Sequence, residues 1–335
     1  MTGIQDVARE VGLSTATLSR ALRGLPGVSA ETRHRVQEVS QRMGYVPSAA
    51  ASVLASGQTR TIAVVVPFVT RWYFGEVVEG AESVLRARGY DVLLYNLSGD
   101  EHARHRVLST HLLTKRVDGI LVLGVEPSAS EHEWLATHAP PLGLVGGSVP
   151  GIPTVRIDDE EAALTAMRHL IGLGHRRIAY VGGSEVEPLN FSTPRARREG
   201  YHQALRDVGV EPDPALEAWG HFTVEGGIDA GHQLLALDPL PTAIFCASDE
   251  MAWGVMRAAM ERGIRIPEAL SVIGIDDHAL SRFTDLTTVR QPVMAMGRAA
   301  AERLLAQLSG ESLDTEDLLM PTELIVRGTT APPRG

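Results

Sequence analysis

The chain has 335 residues, 44% of them hydrophobic and 21% charged, an ordinary globular composition in a chain too long for one core. Its formal charge of −10 is unevenly spread: residues 1–60 hold seven Arg against four acidic side chains (+3), leaving 24 basic and 37 acidic residues (−13) for the remainder. A small basic head on an acidic body points to a polyanion as partner of the head alone. No apolar run reaches the ~18 residues of a membrane span, and no basic region followed by an apolar core opens the chain. No membrane partner and no secretory signal are therefore expected, which places the protein in the cytoplasm.

The first segment, "TGIQDVARE", puts Thr2 and Gln5 at capping-box spacing, and Ile4, Val7, Ala8 and Val11 follow as the stripe of a helix packed on one side. Gly12 ends that helix. Ser14 is placed to cap a second, "STATLSRAL", whose Leu18, Ala21 and Leu22 turn inward and whose outer face carries Thr15, Ala16, Ser19 and Arg20. After "GLPG", Ser29 caps a third helix with Val36, Val39 and Met43 inward and Arg33, Arg35 and Arg42 available outside. Two short helices joined by a tight Gly turn, with a third closing the core, form a helix-turn-helix. A helix entering the major groove needs small groups near its N-terminus and one or two long donors, and Arg can give guanine O6 and N7 two hydrogen bonds. Spacing alone leaves a plain three-helix protein-interaction module open.

Residues 47–57, "PSAAASVLASG", carry no charge. Ala is the best helix former, and Pro47 and Gly57 stand where a short helix would start and stop. Eleven residues are too few for a stable isolated helix in water, so the stretch reads as conditionally helical.

The body alternates strand and helix. Strands are expected at 61–67, 91–97, 119–125, 141–147, 176–183, 242–248 and 270–277, with amphipathic helices such as "FGEVVEGAESVLRARG" and "DEMAWGVMRAAMERG" between them. Continuous apolar strands flanked by helices indicate parallel sheets covered on both faces, an α/β fold with its ligand beyond the C-terminal strand ends. The stretches at those ends, 68–74, 182–200, 220–222, 248–250 and 274–277, combine aromatic faces, carboxylates and guanidinium groups, as sugar recognition requires. The single cysteine, Cys246, lies in the apolar "TAIFCAS", so no internal disulfide is possible and the thiol should be buried and inert. Nucleotide-binding glycine motifs and the nucleophile elbow G-x-S-x-G are absent, and His102, His105 and His111 lack companion carboxylates for a metal. No enzymatic activity, cofactor or metal is expected.

These segments resemble the lactose-repressor (LacI/GalR) family of bacterial transcription regulators. The likeness is continuous from Ile4 to Leu54, through "DVAREVGLS", "TLSRAL" and "GYVP", and continues more loosely through "RVDGIL", "LGHRRIAYVGG", "PTAIFCASDEMAWG", "LSVIGIDD" and "LTTVRQP". It implies a three-helix helix-turn-helix DNA-binding domain over residues 1–46 and a hinge helix and linker over 47–60. An effector-binding and dimerisation domain over 61–335 follows, a bilobed periplasmic-binding-protein-like core of two parallel-sheet α/β subdomains. Lobe 1 is expected at about 61–159 plus 291–319, and lobe 2 at about 160–290 plus 320–330.

By the same resemblance Thr15, Ala16 and Arg20 read bases, while Ser14, Thr17, Ser19 and Tyr45 hold phosphates or the register. Arg23 stands where the family usually has Asn, which leaves base or phosphate contact open. The hinge would become helical in the minor groove when two copies meet on DNA, with Leu54 as apolar wedge and Ala51 allowing close approach. Arg197 and Asp276 match residues that hold the effector, joined by Asp249, Phe222, Phe74 and Thr193. The family's "N-P-F-F" is "R-W-Y-F" here, so Arg71 and Tyr73 enter the site beside Trp72, a set suited to a large or oligomeric sugar. Phe191 replaces the Arg of purine-binding members, which disfavours a purine corepressor. The resemblance therefore implies a homodimeric repressor, released from a pseudo-palindromic double-stranded operator by a mono- or oligosaccharide. The alternatives are a corepressor-dependent regulator with a nucleobase ligand and a solute-binding receptor. No trailing leucine heptads predict a tetramerisation helix.

Overall fold

The structure, a computed structural model, describes residues 3–45, 57–109, 113, 116–138, 140–184, 191–311 and 316–334. It divides into two compact units, Met1–Thr59 and Arg60–Gly335.

In the first unit, α1 (Ile4–Val11), α2 (Thr15–Leu22) and α3 (Ala30–Arg42) enclose Val7, Ala8, Val11, Leu18, Ala21, Val36 and Val39, with Leu22, Met43 and Tyr45 packed against them. Gly12, at φ 73°, lets the chain leave α1 in the left-handed conformation and reach the next cap two residues on. That cap is Ser14, whose Oγ accepts from the Thr17 amide at 3.1 Å; Ser29 accepts from Thr32 at the same distance. The start of α1 differs from expectation. Its N-cap is Gly3, whose amide donates to Asp6 Oδ2 at 2.9 Å, while Thr2 lies outside the described residues. Two of the three arginines expected on the outside of α3 are also engaged. Arg33 Nη2 donates to the Leu25 carbonyl at 3.3 Å, and Arg42 pairs with Glu10 at 2.9 Å. The conditional helix at 47–57, with Ala51 and Leu54, falls outside the described residues apart from Gly57.

The second unit contains two six-stranded sheets. In the first, β1 (Thr61–Val66), β2 (Asp91–Asn96), β3 (Gly119–Leu123), β4 (Leu142–Val145), β5 (Thr154–Arg156) and β11 (Leu318–Leu319) are all parallel, in the order β11-β5-β4-β3-β1-β2. In the second, β6 (Ile178–Gly182), β7 (Glu217–Trp219), β8 (Ala243–Cys246), β9 (Ser271–Asp276) and β10 (Thr287–Arg290) are parallel. Only β12 (Glu323–Ile325) runs antiparallel, on the β10 edge. The seven apolar runs of the sequence are β1 to β4, β6, β8 and β9. The other five strands, of two to four residues, lie in stretches without a comparable continuous apolar run.

The chain passes between the sheets after β5, after β10 and between β11 and β12. The helices are α4 (Trp72–Ala87), α5 (Glu101–Leu108), α6 (Ala129–His138), α7 (Asp159–Gly172), α8 (Thr193–Asp207), α9 (Val224–Leu234), α10 (Asp249–Glu261) and α11 (Val293–Leu308). Contact between α4 and α11 depends on Gly80 and Gly297: a Cβ on either would collide with the facing backbone carbonyl of Met294 or Val77. Parallel strands buried on both faces confine polar chemistry to the strand ends. Cys246, fully buried on β8, has its thiol pushed well up by that burial. His102 and His105 lie on α5, and His111 lies outside the described residues. Among the described residues, no helix is long and apolar enough to cross a membrane.

Candidate functional sites

On the head, Thr15, Ala16 and Arg20 are all exposed along α2, as are the cap Ser14 and the residue after the helix, Arg23. Thr17 and Ser19 are half-buried, and Thr17 is tied by its hydroxyl to Ser14 at 2.9 Å. Tyr45 packs against the three-helix core. The Arg20 guanidinium is held back over the following loop, where Nη2 donates to the Pro26 carbonyl at 3.0 Å.

In the body a cavity opens between the C-terminal ends of the two sheets, where folds of this kind place their small-molecule sites. Strand ends of both sheets contribute. The turn after β1 brings Arg71, Trp72, Tyr73 and Phe74; the chain after β5 brings Asp159; the start of α8 brings Phe191, Thr193 and Arg197. Phe222 follows β7, Ser248 and Glu250 follow β8, Asp276 ends β9 and Gln291 follows β10.

Arg197 anchors the polar wall. Only 4% exposed, it directs Nε and Nη2 onto Asp159 Oδ1, both at 2.8 Å, and donates from Nη1 to the Ala247 carbonyl. Thr193 donates to the other Asp159 oxygen at 3.2 Å. Against its own burial, Arg197 is held firmly protonated by Asp159 and Asp276. Asp276 accepts from Gln291 Nε2 at 2.5 Å and sits at φ 138°, a conformation its neighbours must enforce. The next residue, Asp277 at φ 53°, is pinned by Arg290 at 2.7 Å and by Arg327. The apolar wall is aromatic. Phe222 stands at φ 54° against Gly183, where any Cβ would collide with its ring. Burial keeps the Tyr73 hydroxyl protonated, available as a donor.

The structure thus brings Arg71, Tyr73, Phe74, Thr193, Arg197, Phe222 and Asp276 to one cavity. Asp249 does not join them. Its carboxylate, fully buried, accepts from the hydroxyls of Ser281 and Thr288, both at 2.6 Å, and from the His278 amide at 2.9 Å. It fastens α10 to the loop after β9 instead of meeting a ligand. Glu250, about 100° further round the helix, takes the place in the cavity. Sequence reading placed the stretch 248–250 at the pocket without singling out Glu250, and missed Asp159 and Gln291. Asp159 follows a three-residue strand, and Gln291 sits in a segment that reads as an irregular loop.

Desolvation, reinforced for Asp249 by the nearby Asp276 and for Asp276 by Glu250, raises both carboxyls well above the ordinary carboxylate range. A carboxyl raised on folding adds stability below its unfolded pKa of about 4, and loses it as pH rises through the folded value. Between pH 6 and 8 the ligand-free full chain should therefore lose melting temperature on account of this pair. Asp249→Asn should flatten that loss in thermal denaturation; an unchanged slope would show that the pair does not titrate there. Among the described residues, no group of three His, Cys, Asp or Glu could hold a metal ion.

A helix-turn-helix head followed by a two-lobed ligand cavity defines a ligand-responsive DNA-binding regulator. The description "Bacterial regulatory proteins, lacI family" matches residues 3–48, and "Periplasmic binding protein-like domain" matches residues 167–330. The HTH-type transcriptional repressor CytR of Escherichia coli (strain K12) is 38% identical over 331 residues, covering 98% of this chain and 96% of its own. The Lac repressor dimer bound to operator and the anti-inducer ONPF superposes with a TM-score of 0.86 at 28% identity, covering 98% and 99% of the two chains. The transcriptional regulator CelR–cellobiose complex gives 0.71 at 31%, covering 98% and 100%. The chain belongs to the LacI family of bacterial regulatory proteins and is a DNA-binding transcription regulator with an effector-binding domain.

Proposed function

We propose that the protein is a homodimeric repressor whose hold on a pseudo-palindromic operator is released by a mono- or oligosaccharide. The observation that carries the sugar reading is the cavity itself. The Arg197–Asp159 pair, Asp276 with Gln291, and Glu250 offer charged partners for hydroxyl groups, and Phe191, Phe222 and Tyr73 offer faces for the ring. The cellobiose complex of CelR supports the same class of ligand. On the head, Thr15, Ala16 and Arg20 read bases, Ser14, Thr17, Ser19 and Tyr45 set phosphate contacts and register, and Arg23 lies at the edge of that surface. The hinge, with Ala51 and Leu54, enters the minor groove between two copies, dividing the chain into residues 1–46, 47–60 and 61–335. Such a regulator acts on DNA in the cytoplasm and catalyses no reaction.

The test is a thermal-shift screen of the full chain against mono- and disaccharides, nucleosides and nucleobases. A ligand at a hundred times its Kd stabilises the folded state by about 2.7 kcal/mol, a clear rise in melting temperature. At least one sugar should produce it. Stabilisation by a nucleobase and by no sugar would overturn the sugar reading.

A further inference from the structure

Arg71 occupies the N-cap of α4, where Ser, Thr, Asp or Asn ordinarily returns a hydrogen bond to the helix. It returns none. Its guanidinium lies 4.0 Å over the Phe68 ring of its own lobe and reaches across the cleft. There Nη2 donates to the His221 carbonyl at 3.2 Å, and the group stands 5.9 Å from the Phe222 ring centroid. The adjacent Trp72 makes a second crossing. Its ring is 4.6 Å, centroid to centroid, from that of His278, which in turn meets Trp253 edge-on at 4.8 Å. His221 and Phe222 are in the positive-φ region, at 53° and 54°, as is Asp277 beside His278. Two strained turns of the second lobe are thus gripped by consecutive residues of the first. Both turns carry cavity residues, Phe222 on one and Asp276 on the other.

We infer that Arg71 and Trp72 are positioning residues that clasp the two lobes and hold both turns in their ligand-ready shape. The consequence for ligand response rests on reading this cavity as the effector site; the clasp itself does not. Arg71 orders the turn at 221–222 by donating to the His221 carbonyl, and Trp72 orders the loop at 276–280 by sandwiching His278 against Trp253. His278 passes the constraint inward, because its amide donates to Asp249 and its Nδ1 accepts from the Leu280 amide at 3.0 Å. The pair fixes the outer wall of the cavity without contributing the hydrogen bonds that Arg197 and Asp276 supply.

Hydrogen exchange followed by mass spectrometry on the full chain, with no ligand added, tests this. In Trp72→Ala exchange at 276–280, and in Arg71→Ala exchange at 220–223, both in the other lobe, should accelerate several-fold, while β6 and β8 keep wild-type protection and Trp72→Phe retains wild-type rates. Wild-type exchange in both turns, or acceleration confined to 72–76, would overturn the clasp. Should Trp72→Ala also expose β6 and β8, Arg71→Ala decides by the same readout at 220–223. Because no ligand is present, failure here leaves the sugar reading intact, and a failed sugar screen leaves the clasp intact.

Discussion

Arg197→Ala is expected to destabilise the body by about 3–5 kcal/mol and to abolish stabilisation by any effector. The size follows from what remains. Asp159, its side chain only 14% exposed, would keep one hydrogen bond, from Thr193, and lose the guanidinium that neutralises it. The Ala247 carbonyl at the end of β8 would lose its donor, and Asp276 the positive charge that opposes its desolvation. Breaking a buried pair from one side costs far more than the pair contributes, because the surviving charge cannot reach water. Denaturant titration of the full chain measures the first effect and the thermal-shift screen the second. A variant as stable as the wild type would mean that water already solvates this wall.

Arg20→Ala is expected to remove about 1–3 kcal/mol of sequence discrimination at each half-site while leaving affinity for random DNA nearly unchanged. Phosphate contacts supply most of the affinity for random DNA, and on the proposed reading they come from other side chains on the head. On the proposed reading the exposed, small Ala16 would let the backbone of α2 close to the groove floor without bringing a hydrogen bond, so discrimination is expected to concentrate on Arg20 and Thr15. Fluorescence anisotropy with a duplex selected by the wild-type chain, against a scrambled one, reads the ratio directly. An unchanged ratio would remove Arg20 from base reading and leave it as the tie to Pro26.

What the sequence made legible follows from the length of its signals. The three head helices declared their apolar stripes, α2 and α3 also their caps, and seven strands their apolar runs. Arg197 and Asp276 were marked by motifs, since "GIDD" ends a strand and Arg197 lies one turn before the Gly200–Tyr201 step of α8. Asp249 was misread because "SDE" presents three polar residues in a row. Only the hydroxyls of Ser281 and Thr288, more than thirty residues away, decide that the middle one turns inward. Arg71 and Trp72 show a second limit: their composition pointed to the cavity that they do line, but nothing local announced their partners His221, Phe222 and His278 on the opposite lobe. Tertiary pairing of that kind leaves no local pattern.

Filling the cavity is expected to loosen the head's hold on DNA, a coupling that in known systems is worth about 1–3 kcal/mol. The most direct measurement is the Kd of the full chain for its selected operator duplex, with and without a saturating concentration of the sugar that stabilises it. A rise in Kd of about 5- to 150-fold is the predicted result. An unchanged Kd, or tighter binding, at a sugar concentration that saturates the thermal shift would contradict it.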